Sequence, residues 1–422
     1  MRYRKTALLA LGLGLILAIG GPAAGRAVPL DAATGATATH STPLFDEVWQ
    51  TVADKFYDRK FRGVDWPAMR EKYRPLAAAA NSAAAEKAVI DRLLGEFGAS
   101  HTALFQPDDP AYFQLMGIFA GGLRRQLRHI FPDGEVSYPG IGLFTREDGG
   151  RTFISGVLDG LPAAKAGLVA GDEIVSAEGK PFEAVGSFSG RIGQAVTLQI
   201  RRAAGRPPVD VTVTPAAIKP NQAFLSAMHE SARIIPAGGA RIGYIHVWSY
   251  AGERYQDGLA EEIAHGKLKD ADALVWDLRD GWGGAQPDYL DIFNPRGPTM
   301  LVTARDGDQE DVNVKWRKPV ALLINGGTRS GKEVLAYGFK KYGLGPVIGT
   351  KSEGAVLAAR AFLMQDGSLL LLAVADVAVD GERLEGVGVT PTIEVPFALP
   401  YAGGKDPQLD AAVAVLARQV GG

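Results

Sequence analysis

The spacing of apolar and polar positions changes period several times along this chain, and each change marks a different kind of element. Between Leu44 and Phe105 apolar residues recur at helical spacing. Phe45, Val48, Trp49, Val52 and Phe56 share one face and Ala88, Val89, Leu93, Leu94 and Phe97 another, which predicts a small helical domain. That domain closes on Phe97-Gly98-Ala99-Ser100-His101-Thr102. Residues 106–137 show no sustained period, and Pro107, Pro110, Gly121 and Gly122 are expected to break any long element there, leaving a linker or a lid over a cleft. Residues 138–217 turn to short β-rich runs punctuated by glycines, such as 152–157 and 196–200. Residues 241–247 and 273–278 read as strands buried on both faces, with a helical pattern around 259–263 between them. Val320–Ile324 is another unbroken apolar run, and a helical pattern opens at Lys332. Alternating strand and helix through residue 348 predicts an α/β core, and the chain past Asp366 adds further strand-like runs. The expected fold is therefore α/β with α+β character: a helical piece with its linker at 43–137, an inserted β-rich domain at 138–217, and an α/β core at 218–422.

Composition narrows what such a chain does. With 422 residues, 46% of them hydrophobic, it has enough apolar surface for two or three cores. A formal net charge of -2 provides no global basic field, so a nucleic-acid partner is not expected. There are no cysteines, which excludes disulfides, thiolate metal sites and a cysteine nucleophile; no metal or cofactor is expected. Arg2, Arg4 and Lys5 precede an apolar run from Ala7 to Gly20 and small residues around Pro22 to Ala27, the layout of a cleaved secretory leader at 1–27. An uncleaved anchor is the alternative, but the run is short of the roughly 20 residues a span needs. Residues 28–42, rich in Ala, Thr and Ser, read as a flexible lead-in. The mature chain is then expected outside the cytoplasm, periplasmic or extracellular, with no membrane span.

The chemistry concentrates in three turns. Gly326-Gly327-Thr328-Arg329-Ser330 joins the strand Val320–Ile324 to a helix, placing the Ser330 hydroxyl where unpaired helix N–H groups face a developing oxyanion. Ser330 is the candidate nucleophile, and a plain N-cap is the competing reading. A serine needs a base, and His101, preceded by Ser100, is the candidate, with His246 on a buried strand as its competitor. The second turn, Asp277-Leu278-Arg279-Asp280-Gly281-Trp282-Gly283-Gly284, offers backbone N–H groups to a cleft. As a phosphate loop it lacks the third spaced glycine and the Lys-Ser/Thr ending, and a simple tight turn is the structural alternative. The third is Glu385 in Leu384-Glu385-Gly386-Val387-Gly388-Val389-Thr390-Pro391, either a solvated carboxylate or the group that orients the histidine.

Together these residues resemble the C-terminal processing (tail-specific) serine peptidases and their relative, the tricorn protease core. The resemblance covers nearly all of the chain after the leader. It rests on Asp277-Leu278-Arg279 followed by Gly283-Gly284, on Gly327-x-x-Ser330-x-x-Glu333, and on an inserted segment similar to a PDZ domain. The PDZ likeness is carried by Gly140-Ile141-Gly142-Leu143, similar to a carboxylate-binding loop, by Leu161-Pro162-Ala163-Ala164-Lys165-Ala166-Gly167-Leu168 and by Gly171-Asp172-Glu173-Ile174. Such domains capture an extended peptide or a free C-terminus. Tail-specific members use a serine and lysine dyad, but counting from Ser330 through Gly349 puts Ala355 at the lysine position, and Lys332 and Lys351 stand elsewhere in the motif.

The tricorn-like branch matches residue by residue instead. The resemblance implies Ser330 as nucleophile, His101 as general base, Ser100 and Glu385 as its orienting partners, and Gly284 with Gly331 as oxyanion-hole donors. It implies cleavage of extended protein or peptide substrates through an acyl-enzyme. The rival is a catalytically inactive PDZ-type scaffold that binds peptides, which the missing lysine favours and the Ser100, His101 and Glu385 matches oppose. Lipid binding on this fold, by analogy with non-proteolytic relatives, has no supporting apolar stripe.

Overall fold

A computed structural model of the chain describes residues 42–294, 296, 300–311 and 315–421. The leader at 1–27 and the lead-in up to residue 41 lie outside the described residues. Helices α1 (Pro43–Lys55), α2 (Trp66–Ala78) and α3 (Ala83–Gly95) form the predicted helical piece. Asp65 caps α2 through the Ala68 N–H and Ser82 caps α3 through the Ala85 N–H. Strand β1 (Ala103–Phe105) begins two residues after His101.

The next stretch departs from the sequence expectation. Residues 106–137 contain two helices, α4 (Pro110–Ile118) and α5 (Ala120–Ile130). Pro110 starts α4 rather than breaking it, because the preceding Asp109 accepts the Ala111 N–H at 2.8 Å and a first-turn proline sacrifices no helical hydrogen bond. Gly121 and Gly122 fall in the first turn of α5. Tyr112, Leu115, Met116, Leu123 and Leu127 join the main core, so these helices are part of the body.

Strand β2 (Tyr138–Gly140) enters the inserted segment. It comprises β3 (Leu143–Asp148), β4 (Arg151–Val157), the short α6 (Pro162–Lys165), β5 (Glu173–Ala177), β6 (Val196–Arg201) and β7 (Val209–Val213). The last five strands form one antiparallel sheet in the order β3-β4-β5-β6-β7, with its own core of Ile154, Phe188, Leu198 and Ile200. Strand β8 (Ala216–Ile218) leaves the segment paired antiparallel with β2, so entry and exit are clasped together.

The remaining chain supplies α7 (Pro220–Ser231), β9 (Arg233–Ala237), β10 (Ala240–His246), α8 (Arg254–Ala264), β11 (Ala273–Asp277), β12 (Leu301–Thr303) and β13 (Gln309–Asp311). It continues with β14 (Val320–Ile324), α9 (Gly331–Lys341), β15 (Val347–Gly349), β16 (Ala358–Leu363), β17 (Leu369–Ala375), β18 (Ile393–Glu394) and α10 (Pro407–Gly421). The central sheet runs β18-β15-β14-β11-β10-β9; only β9 is antiparallel to its neighbour. Strands β10, β11 and β14 are apolar on both faces because helices cover both sides. Helix α10 was not anticipated among the strand-like runs expected past Asp366; Ala412 and Leu416, at i and i+4, seat it on that sheet.

A separate sheet, β1-β17-β16, joins the two ends of the chain. β1 pairs antiparallel with β17 (Ala103↔Leu371), and Leu370, Leu372 and Ala373 pack into the core of α1–α3. That pairing carries Ser100 and His101, from the N-terminal piece, to the C-terminal half. No helix among the described residues is long and apolar enough to cross a membrane.

Candidate active site

Parallel strands β11 and β14 end side by side, and the two glycine-rich turns leave from those neighbouring ends. The first turn is drawn against the second. A Cβ on Gly283 would lie 2.5 Å from Ser330 Cβ and 2.9 Å from the Gly331 N, and one on Gly331 would lie 2.4 Å from Ala285 N. Glycine at 283 and 331 is thus required by close approach of two backbones. Gly284 adopts a φ of 101°, open only to glycine, and packs on Ala251. Neither the Gly284 nor the Gly331 N–H donates to a protein acceptor among the described residues.

Ser330 stands at the N-cap position of α9 with φ 57° and ψ -131°, a strained conformation for a residue with a side chain. Its N–H is held by Ala355 O at 2.8 Å and by Glu333 Oε2 at 3.3 Å. Glu333 is fully buried and also accepts from Ser352 Oγ at 2.6 Å, Gly354 N at 2.7 Å and Ala355 N at 2.8 Å. Burial raises its pKa against these donors. The role of Glu333 was not anticipated from the sequence, although Ser-x-x-Glu is the spacing of a capping box. It staples the nucleophile turn to the strap 352–357.

The same strap holds the third carboxylate. Glu385 Oε2 accepts from Val356 N at 2.9 Å and Leu357 N at 3.3 Å, and from Ser100 Oγ at 2.8 Å; its Oε1 accepts from Ser100 N at 2.9 Å. Ser100 Oγ in turn lies 3.0 Å from His101 Nδ1. With its Oγ proton given to Glu385, Ser100 accepts at the histidine, so Nδ1 carries the proton and Nε2 presents its lone pair. Burial pushes the Glu385 pKa up, but the donors outweigh it and the net shift is downward. The His101 pKa is lowered to about 4, first by burial and then by the positive charge of Arg329, while Glu385 opposes both. A neutral imidazole is the form a general base requires.

Glu385, Ser100 and His101 thus form one hydrogen-bonded chain, and Ser330 is tied to it through the strap. No hydrogen bond joins Ser330 to His101 among the described residues; such contacts are often long before substrate binds. Arg329, beside Ser330, pairs with Glu353 at 2.9 Å and lies 5.3 Å over the Trp282 ring. The competitor His246 is a core residue: it stacks on Trp248 with centroids 3.7 Å apart and its Nε2 bonds Arg279 O at 2.9 Å.

Asp277 and Arg279 brace the turn rather than face the cleft. Arg279 bonds Asp277 and Asp406 with paired nitrogens and Gln408 as well, fastening the first turn to the start of α10. The Gly140-Ile141-Gly142-Leu143 loop lines a cavity of about 570 Å³ that is also lined by Asp280, Trp282, Gly327 and Arg329. Ile141 O and Gly142 O are taken by Ala163 N and Leu158 N, while the Ile141 and Gly142 N–H groups have no protein acceptor among the described residues.

A strained serine and two glycine amides at the strand ends of a buried parallel sheet, with a neutral histidine carried in by the separate β1-β17-β16 sheet, are the parts a serine hydrolase uses. Comparison with known proteins makes the class specific: residues 241–395 match Peptidase family S41 and residues 40–95 match the Tricorn protease C1 domain. The chain thus carries a Peptidase family S41 region and, ahead of it, a Tricorn protease C1 region. It is 25% identical over 352 residues to the carboxyl-terminal-processing protease of Synechocystis, covering 80% of this chain and 76% of that one. It is 30% identical over 294 residues to the carboxy-terminal processing protease CtpA of Bacillus subtilis, covering 65% of this chain and 59% of that one, so it spans about three-fifths of that relative. Among solved structures the tricorn protease shares the fold with a TM-score of 0.54 at 19% identity, covering 90% of this chain and 37% of that one. These matches support a peptidase and not the inactive scaffold.

Proposed function

We propose that this chain cleaves peptide bonds in extended protein or peptide substrates through an acyl-enzyme on Ser330, with His101 as general base. His101 Nε2 takes the Ser330 proton as Oγ attacks the scissile carbonyl, and the Gly284 and Gly331 N–H groups receive the oxyanion. The imidazolium then protonates the leaving amine, and water, activated by the same imidazole, releases the acyl group. Ser100 and Glu385 keep the proton on Nδ1 and stabilise the imidazolium. The observation that carries this reading is the Glu385–Ser100–His101 chain, in which Glu385 also accepts from the N–H of Val356, the residue after Ala355.

The inserted β sheet is the candidate PDZ domain, at 138–217. Its Gly140, Ile141, Gly142 and Leu143 loop, with free amides on Ile141 and Gly142, fits a substrate's terminal carboxylate, and the shared cavity leads from there to the nucleophile turn. The leader at 1–27 supports secretion, with the enzyme periplasmic or extracellular. Hydrolysis of matched peptides with free and amidated C-termini tests both parts. Cleavage abolished by Ser330→Ala, with at least about tenfold preference for the free terminus, corresponding to roughly 1.4 kcal/mol, supports the reading. Cleavage that survives Ser330→Ala overturns the nucleophile, and equal rates on the two peptides overturn the carboxylate loop.

A further inference from the structure

Lys332 is a side chain that the mechanism above does not use and the fold does not readily explain. It sits in the first turn of α9, where the helix dipole disfavours a cation, and its exposure is 0%. Burial lowers its pKa to about 7 even though Asp277 and Asp280 favour the charged form. Among the described residues its ammonium makes one hydrogen bond, donating to Asp280 O at 2.7 Å.

That bond is one of a set. Three successive carbonyls at the start of the glycine turn are each held by a buried side chain from a different element. Leu278 O accepts from Thr328 Oγ1 at 3.0 Å, Arg279 O from His246 Nε2 at 2.9 Å and Asp280 O from Lys332 Nζ at 2.7 Å. The turn needs such restraint. Asp280 and Gly281 both have positive φ, 51° and 69°, and Gly281 is pressed against Trp248 O, where a Cβ would lie 2.0 Å away. Of the three clamps, only Lys332 belongs to the helix that also carries Ser330 and Gly331. It therefore spans the two backbone segments that supply the oxyanion-hole amides.

We propose that Lys332 is a positioning residue for the oxyanion hole: by holding the Asp280 carbonyl it fixes the Gly284 N–H relative to the Gly331 N–H. The proposal rests on the reading of Ser330, Gly284 and Gly331 given above. Loss of the amine then leaves peptide binding intact but blunts stabilisation of the tetrahedral state.

The absence of native cysteine allows a clean test. Lys332→Cys, alkylated while unfolded with 2-bromoethylamine and refolded, regains an amine of lysine's length. The same variant alkylated with 1-bromopropane carries a neutral side chain of that length, and Lys332→Met provides a neutral variant without chemistry. Active sites are counted by fluorophosphonate adducts on Ser330, and kcat, KM and affinity for a peptide boronate are measured per active site. The expected result is a fall of about 10- to 100-fold in kcat for both neutral forms, within the range for a compromised donor. Boronate affinity falls by the same factor, KM stays within about twofold, and the bromoethylamine product recovers most of kcat. A structural lysine would change the fraction of active sites and not these per-site values. Neutral forms with wild-type kcat per site overturn the proposal, as does the failure of every neutral form to fold. A wild-type enzyme that forms no Ser330 adduct instead overturns the underlying reading of the nucleophile.

Discussion

The N–H of Ser330 donates to the carbonyl of Ala355 at 2.8 Å. Ala355 occupies the position where tail-specific peptidases, by the motif resemblance, carry their lysine. Here its backbone takes up a supporting role, since its N–H reaches Glu333 and the next residue, Val356, donates to Glu385. One short strap thus scaffolds both Ser330 and Glu385, and the proposed proton acceptor, His101, comes instead from the segment that precedes β1.

If Glu385 and Ser100 orient His101, their loss should act on kcat. Glu385→Gln is expected to lower kcat by roughly 10²- to 10⁴-fold and Ser100→Ala by less, with KM nearly unchanged. Steady-state kinetics on one peptide, with circular dichroism to verify folding, measures this. Wild-type kcat in Glu385→Gln would remove the carboxylate from the mechanism.

Gly283 makes a purely steric prediction. Its φ is not positive, so alanine meets no backbone strain, but the new methyl would lie 2.5 Å from Ser330 Cβ. Gly283→Ala is expected to fold and to slow fluorophosphonate labelling by about 100-fold or more, as displaced catalytic geometry does. Labelling at the wild-type rate would show that the two turns are not in contact.

The buried imidazole sets the acid limit. With the His101 pKa at about 4 rather than 6.5, the acidic limb of kcat/KM should be centred near 4. The stability consequence has a definite sign. Between pH 6.5 and about 4 the unfolded chain binds a proton at this site that the folded chain does not, so this contribution is complete above 6.5 and declines as pH falls to about 4. Chemical denaturation of wild type and His101→Ala across that window separates this term from the carboxylates; equal pH slopes would contradict it.

Glu333 is predicted to matter for stability. Glu333→Gln replaces one accepting oxygen with an amide nitrogen and orphans two of its four donors, at about 1–3 kcal/mol for each. A lowered denaturation midpoint with an unchanged m-value is the expected signature.

Local patterns carried much of this architecture. The apolar run of β14 and the helical period from Lys332 located the nucleophile turn, and helical spacing of Phe45, Val48 and Val52 located α1. The candidate residues Ser100, His101, Ser330 and Glu385 stood out as a set only through the motif resemblance, and the structure joins three of them, Ser100, His101 and Glu385, by hydrogen bonds. What escaped was non-local or ambiguous punctuation. Asp109-Pro110 is both a breaker and a helix start, and only the hydrogen bond to Ala111 N decides between them. Helix α10 is anchored by Arg279, more than 120 residues away, and nothing near Gln408 in the sequence announces that partner. The carbonyl clamps of Thr328, His246 and Lys332 are likewise invisible without the fold, because a carbonyl has no residue signature.

The most direct measurement is peptide mass spectrometry after reaction with a fluorophosphonate. A covalent adduct on Ser330 is predicted, forming at least about 100-fold more slowly in His101→Ala, as expected when the base of a serine nucleophile is lost. A folded enzyme that cleaves peptides yet is never modified at Ser330, or one modified equally fast without His101, would contradict it.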